Sequence, residues 1–160
     1  MAERRTRVYL DSSVIGGPLD DEFAAPSSRF MEALVVGKAV ALVSDTLLAE
    51  IAMAPEAVRE VLASVMSGAH ERLAITAEAV DLQEAYLRAG VVPPKFGDDA
   101  LHVAQATVAR ADVLVSWNFK HLVNPARIRQ FNGVNLSLGY GVAIILTPAD
   151  VIETLELGDD

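Results

Sequence analysis

The sequence predicts an α/β domain of three layers, in which helices cover both faces of a central, mostly parallel sheet. Short apolar runs alternate along the chain with longer segments whose apolar residues recur at helical spacing. The apolar runs are continuous rather than alternating, which is typical of strands that are buried on both faces. Strands that alternate with helices in this way indicate a parallel sheet between helical layers.

Five apolar runs are the candidate strands of this sheet. The strongest occupy residues 8–10, 39–43 and 113–115, and each of them stops at polar residues. Residues 73–75 and 143–146 are weaker candidates of the same kind. Ligands of such sheets usually bind beyond the carboxyl ends of the strands, so those ends are where functional residues are expected.

Six segments between these runs are predicted helices, because apolar spacing follows a starting signal in each. The signals are capping residues or a proline at the first helical position. In chain order they are residues 26–28, Ser44 or Asp45, Pro55, Thr76, Asp98, and Thr147 with Asp150. Gly68 and Gly90 are expected to end the third and fourth of these helices.

The size and charge of the chain narrow the class of protein. With 160 residues, 13 basic and 22 acidic side chains and no cysteine, it is expected to form one domain over residues 1–160. We expect a core at about 7–155 and an acidic tail at 157–160. The lack of cysteine excludes a disulfide framework, Cys-ligated zinc and a thiol nucleophile, and it fits the cytoplasm. The apolar runs are too short for a signal peptide or a membrane span.

Acidic side chains occur at the expected functional positions. Asp11 directly follows the first predicted strand, and Ser116 to Asn118 follow the run at 113–115. Glu50 lies in an apolar segment, and Asp99 lies near the start of an alanine-rich helix. Crowded carboxylates repel one another unless a cation neutralises them. A cleft lined by them therefore indicates a hard divalent ion such as Mg²⁺ or Mn²⁺.

Four short motifs occur in a set order along the chain. They are VYLDSSVI at residues 8–15, LLAEI at 47–51, DDALHVA at 98–104 and ADVLVSWNFKHL at 111–122. This order resembles the PIN-domain family, and in particular the VapC-like ribonucleases of toxin–antitoxin systems. The resemblance covers roughly residues 7–150, and its last two motifs are the most specific. It implies a PIN fold, Mg²⁺ or Mn²⁺, hydrolysis of an RNA phosphodiester, a homodimer and a cognate antitoxin protein.

The resemblance also implies roles for five residues. Asp11, Glu50 and Asp99 fall on the family's acidic positions and would hold the metal. Glu50 would also orient or deprotonate the attacking water, with Ser116 and Asn118 supporting the site. Many members of the family have Asp where this chain has Asn118. An amide oxygen can still ligate a hard cation, but it brings no negative charge.

Two other functions use the same residues. A catalytically weakened PIN-like domain that only binds RNA or a protein partner is the main alternative, because Asn118 removes a charge and the chain is acidic. A phosphatase or a structure-specific DNA nuclease could use the same carboxylates, but the sequence has no helical arch or extra domain to support it.

Residues near the motifs leave further choices open. We expect His102 to be a packed or hydrogen-bonded histidine rather than a metal ligand. We expect Trp117 to be buried at a strand end rather than to stack on a base. The basic residues Lys120, Arg127 and Arg129 could contact phosphates or form a solvated helix face.

Overall fold

A five-stranded parallel sheet forms the centre of the protein. The computed structural model describes residues 4–157, with side chains up to Leu155. All pairings between neighbouring strands are parallel, and the order across the sheet is β3-β2-β1-β4-β5. The strands are β1 (Thr6–Leu10), β2 (Ala39–Ser44), β3 (His70–Leu73), β4 (Val113–Val115) and β5 (Ile145–Leu146).

Helices connect the strands and cover the sheet. Short 3-10 turns at Gly17–Leu19 and Pro94–Phe96 precede the helices that begin at Ala24 and Gly97. Within the described residues, no helix has the length and hydrophobicity that crossing a membrane requires. The helices are α1 (Ser12–Gly16), α2 (Ala24–Val35), α3 (Asp45–Ala52), α4 (Glu56–Met66), α5 (Ala77–Arg88), α6 (Gly97–Val108), α7 (Pro125–Ser137) and α8 (Pro148–Leu157).

Two hydrophobic cores lie on opposite faces of the sheet. Val8 and Leu10 of β1 belong to one core and Tyr9 to the other, as the alternation of side chains along a strand requires. The first core is completed by α2, α4 and α8, and the second by α5, α6 and α7. The predicted three-layer α/β architecture is therefore confirmed.

The path of the chain creates a crevice at the carboxyl end of β1. After β1 the chain adds β2 and β3 on one side, and it then crosses to add β4 and β5 on the other. The reversal falls between β1 and β4, which pair through Val8–Val113, Tyr9–Leu114 and Leu10–Val115. Such a reversal leaves room for a ligand beyond the strand ends. Asp11 and Ser116, which follow these two strands, lie there.

The two weaker strand predictions differ from the structure. β3 covers His70–Leu73 instead of residues 73–75, and β5 is confined to Ile145–Leu146. β3 lies at the edge of the sheet and is mostly exposed, so it has no apolar run to reveal it. Its Glu71 and Arg72 instead form ion pairs with Arg7 and Asp45 at 2.8 Å in each case.

Three of the six predicted helix starts are confirmed, whereas α2 begins at Ala24, ahead of the start predicted at residues 26–28. The hydroxyl oxygens of Ser44, Thr76 and Thr147 each accept a backbone N–H three residues later. The predicted cap at Asp98 is wrong, because α6 begins at Gly97 as a direct continuation of the 3-10 turn at Pro94–Phe96.

Other boundaries were missed or shifted. Pro55 precedes α4 instead of opening it. Neither α1 nor α7 was predicted, because α1 is a single short turn and α7 has a mixed polar and apolar sequence without a clear stripe. Residues 158–160 of the predicted acidic tail lie outside the described residues.

Candidate active site

Asp11 is buried at the junction of β1 and α1. It is 4% exposed and serves as the N-cap of α1. Its Oδ1 accepts hydrogen bonds from the Ser13 hydroxyl at 2.6 Å and from the Val14 N–H at 3.2 Å. Its Oδ2 accepts one from the Ser116 hydroxyl at 2.5 Å. The carboxylate is therefore fixed on both oxygens.

The environment of Asp11 opposes its negative charge. Burial raises the pKa of this carboxyl group, while the hydroxyls of Ser116 and Ser13 act in the opposite direction. A positive charge placed beside such a group would stabilise its ionised form.

Two serines join the ends of β1 and β4. Ser13 Oγ accepts the backbone N–H of Trp117 at 2.9 Å, and Ser116 Oγ accepts the N–H of Asn118 at the same distance. Both hydroxyls also donate to Asp11. The prediction that Asp11 and Ser116 leave the sheet at the same edge is therefore confirmed, and Ser13 is a partner that the sequence did not reveal.

Asp99 lies in the first turn of α6 and faces the loop that follows β4. Its Oδ2 accepts hydrogen bonds from His121 Nδ1 at 2.9 Å and from Asn118 Nδ2 at 3.3 Å. The Nε2 atom of His121 is buried without a hydrogen-bond partner among the described residues. Histidine and amide thus orient Asp99 from one side.

Asn118 is engaged through both ends of its amide. Its Oδ1 accepts the backbone N–H of His121 at 3.0 Å, and its Nδ2 points to Asp99. This orientation follows from the surrounding donors and acceptors. The residue therefore acts as a hydrogen-bond donor toward Asp99, in contrast with the ligand role expected for an acid at this position.

Glu50 is held by a buried histidine. Its Oε1 lies 2.5 Å from His102 Nε2, and His102 Nδ1 lies 2.7 Å from the Tyr9 hydroxyl. Tyr9 also donates to Ser44 Oγ at 2.9 Å. His102 is 1% exposed, so the prediction of a hydrogen-bonded histidine inside the protein is confirmed.

The three carboxylates all influence the pKa of His102. Burial lowers the pKa of this histidine, but the hydrogen bond and charge of Glu50, together with Asp11 and Asp99, outweigh burial and raise it. Glu50 is thus hydrogen-bonded to His102, whereas Asp11 and Asp99 act on the same imidazole only through their charges. That juxtaposition required α3 and α6 to meet over the strand ends, which sequence spacing does not reveal.

The three carboxylates do not form a closed cage. Within residues 4–157, no three His, Asp or Glu side chains are close enough to constitute a metal cluster. Glu50 Oε2 and Asp99 Oδ1 accept no hydrogen bond within the described part of the chain. The side chains of Glu50 and Asp99 are 29% and 23% exposed. Solvent therefore reaches the side of the site that these two acids form.

The rings and basic residues around the site have distinct positions. Trp117 is half-buried, and its indole Nε1 donates to Ser27 Oγ at 2.8 Å. Arg127 donates from Nε to the Lys120 carbonyl oxygen at 2.9 Å and from Nη1 to that of Val91. Arg129 is exposed on α7. Trp117 is thus held in the fold but is only half-buried, where the sequence predicts a buried ring, and Arg127 braces two loops.

A separate cavity lies at the opposite edge of the sheet. It has a volume of about 440 Å³ and includes Glu78, Arg110 and Tyr140, near the amino ends of β4 and β5. None of the five candidate residues lines it. The candidate site is instead an open edge of the sheet, which suits a long substrate better than a small enclosed molecule.

Comparison with known proteins identifies the fold. No known family model and no curated protein sequence matches the chain. Among solved structures, it is similar to a chain in the crystal structure of VapBC2 from Rickettsia felis bound to a DNA fragment from their promoter. The TM-score is 0.56 and the identity 15%, over 89% of this chain and 98% of that chain. At this identity the likeness concerns the fold, which is the PIN/VapC-like α/β fold that the four motifs implied.

Proposed function

We propose that this protein is a cytoplasmic, Mg²⁺- or Mn²⁺-dependent endoribonuclease and the toxin of a toxin–antitoxin pair. A cognate antitoxin would hold it inactive, and it would act as a homodimer. The observation that carries the proposal is the chain of hydrogen bonds at the carboxyl edge of the sheet that joins Asp11 through Ser116 and Asn118 to Asp99. Glu50 reaches the same helix as Asp99 through its hydrogen bond to His102. The likeness of the fold to a VapBC2 chain supports the choice of reaction class.

The donor groups fit a hard divalent cation. Asp11, Glu50 and Asp99 offer carboxylate oxygens, which are the ligands that Mg²⁺ and Mn²⁺ prefer. Mg²⁺ keeps several waters and often uses only one or two protein carboxylates, so a closed cage is not required. Glu50 Oε2 and Asp99 Oδ1 accept no hydrogen bond from the described residues, and both side chains are partly exposed. When bound, the cation supplies charge stabilisation at the phosphate and a more acidic water.

Three side chains of the protein have separate roles in the proposed reaction. Asp11 accepts hydrogen bonds from two hydroxyls and a backbone N–H, so its carboxylate would hold the cation at a fixed position. Glu50 is fixed through Oε1 and open at Oε2, which suits it to orient the attacking water and to accept its proton. The raised pKa of His102 favours its protonated form, whose charge would offset the mutual repulsion of the acids.

A second candidate function has one observation in its favour. Asn118 donates its amide to Asp99 where many PIN domains carry a further acid. Fewer negative charges at the edge would weaken cation binding and leave a module that binds RNA or a protein without cleaving it. Metal-stimulated turnover separates the two functions.

The decisive experiment compares two neighbouring aspartates. Asp98 and Asp99 both lie in the first turn of α6, but Asp98 is exposed while Asp99 faces His121. We expect Asp99→Asn to lower Mn²⁺-dependent cleavage of a mixed single-stranded RNA by more than roughly 100-fold, the upper end of losses from outer metal-shell changes. Asp98→Asn removes the same charge and should retain most of the activity.

Calorimetric titration of Mn²⁺ into the metal-stripped proteins provides a readout that needs no substrate. Native protein and Asp98→Asn should bind saturably, and Asp99→Asn should not. Equal binding and equal cleavage by the two variants would refute the proposed site. Binding of RNA without any metal-stimulated cleavage would favour the non-catalytic module.

A further inference from the structure

The loop after β4 carries two aromatic residues with opposite environments. Trp117 stacks on Phe23, with ring centroids 4.2 Å apart and planes 14° apart, and its indole N–H is bonded to Ser27. Phe119 is 50% exposed, and its ring centroid lies more than 6 Å from those of Phe23 and Trp117, at 6.2 Å and 6.1 Å. Trp117 is therefore held in the fold by these contacts, whereas Phe119 is half exposed next to Asn118.

Two lysines converge on one ring close to this loop. The Nζ atoms of Lys95 and Lys120 lie 5.1 Å and 5.8 Å from the centroid of Phe96. Neither lysine forms an ion pair with a carboxylate in the described part of the chain, although the protein has 22 acidic residues and 13 basic ones. Two ammonium groups that contact the same ring and have no carboxylate partner there are available to bind anionic groups.

The lysines are connected to the candidate active site through Phe96. The centroid of its ring lies 4.2 Å from that of His121, and His121 is bonded to Asp99. The lysines are thus on the Asp99 side of the site, and Phe119 is one residue from Asn118, which also contacts Asp99.

Arg127 fixes the two lysine-bearing segments relative to each other. It donates to the carbonyl oxygen of Lys120 in the loop after β4. It also donates to that of Val91, shortly before the turn that carries Lys95. This bracing holds the two lysine-bearing segments in place before any ligand arrives, which reduces the ordering cost of binding. Arg127 therefore acts as a positioning residue.

We propose that Lys95, Lys120 and Phe119 form a subsite for single-stranded RNA, with the lysines on backbone phosphates and the Phe119 ring stacked on an unpaired base. The subsite rests on the proposed function, because it lies against the edge where cleavage would occur. A base can stack on a side chain only when it is free of its own helix, so a duplex would not use Phe119. The overall acidity of the chain keeps other nucleic-acid contacts weak, which makes these few groups decisive.

The test measures binding without cleavage. A fluorescein-labelled, mixed-sequence RNA of about ten nucleotides is titrated in EDTA at several salt concentrations and followed by anisotropy, and its duplex form is titrated alongside. The proteins compared are the native chain, Lys95→Gln, Lys120→Gln, Phe119→Ala and Phe119→Tyr. Arg110→Gln is the matched charge control, since Arg110 is exposed just before β4 at the other edge of the sheet.

The subsite predicts different signatures for charge and ring. Lys95→Gln and Lys120→Gln should each reduce the slope of log affinity against log salt by about 0.7, the value for one phosphate contact on a single strand. Phe119→Ala should weaken binding roughly five- to hundredfold with an unchanged slope, and Phe119→Tyr should restore it. Arg110→Gln should bind as the native chain does.

Several outcomes would overturn the subsite. It is wrong if the native protein binds no single-stranded RNA, if it binds the duplex equally well, or if the lysine and Phe119 variants match the Arg110 control. Failure of the nuclease proposal gives a different result. In that case RNA binding shows the charge and ring signatures, but Mn²⁺ stimulates no cleavage. Cleavage that persists with an unaltered KM in Phe119→Ala would remove the subsite and leave the nuclease.

Discussion

Asp11 and Asp99 are carboxylates at the same edge of the sheet, but the protein holds them in opposite ways. Asp11 is almost completely buried and is bonded on both oxygens. Asp99 is 23% exposed and keeps Oδ1 free of hydrogen bonds within the described residues. A buried charge gains fixed geometry at a cost in stability, whereas an exposed one can exchange partners. The site thus combines a rigid half around Asp11 with an open half around Asp99 and Glu50.

Removing the Ser116 hydroxyl should have the largest effect on stability, because it acts on the rigid half. In Ser116→Ala, the buried carboxylate of Asp11 loses the donor to Oδ2. We expect the free energy of unfolding at neutral pH to fall by about 1–3 kcal/mol, as measured by urea denaturation. Ser12→Ala, one residue after Asp11, is the control and should stay within about 0.5 kcal/mol of the native value. Equal losses in both variants would show that the Asp11–Ser116 bond contributes little.

Asp11→Asn should stabilise the metal-free protein at neutral pH. Burial raises the pKa of Asp11, so the folded state binds the proton more tightly than the unfolded state does. The contribution of Asp11 to stability is therefore greatest in acid and is lost as the pH rises through its folded pKa. We expect a gain of about 0.5–2 kcal/mol at neutral pH that shrinks toward acid.

Urea denaturation in EDTA over a series of pH values checks this expectation. Asp21→Asn, at an exposed position, should show no such pH dependence. A gain from Asp11→Asn that grows toward low pH would mean that Asp11 is stabilised as the anion. The burial of its charge would then not lower the free energy of unfolding.

Asn118→Asp should have the smallest effect on stability, because it acts on the open half. The new carboxylate would replace the Nδ2 donor that lies 3.3 Å from Asp99. Repulsion near solvent should lower the free energy of unfolding of the metal-free protein by less than about 1 kcal/mol. Affinity for Mn²⁺, measured calorimetrically, should rise because the edge gains a negative charge. An unchanged isotherm would place residue 118 outside the cation's surroundings.

The features that sequence could predict are those set by local order along the chain. Asp11 and Ser116 were expected together because each directly follows a buried strand, and parallel strands end at a common edge. The caps at Ser44 and Thr76 were found for the same reason, since each bond spans only three residues.

The features that sequence could not predict depend on distant segments. Glu50 and His102 lie 52 residues apart, and their contact requires α3 and α6 to meet. His121 lies in the fourth motif, three residues after Asn118, but its hydrogen bond to Asp99 depends on how the loop after β4 folds back. β3 was shifted because an exposed edge strand has no apolar run, and the wrong cap at Asp98 came from a 3-10 turn that supplies the helix start without a side chain.

Trp117 is the one tryptophan of the chain. Its indole stacks on Phe23 beside α2, and its backbone N–H is bonded to Ser13, a partner of Asp11. Tryptophan emission from the whole protein therefore originates one residue from Ser116. Any ligand that shifts this loop or the neighbouring serines will alter the intrinsic fluorescence, so the protein carries its own optical reporter of events at the candidate site.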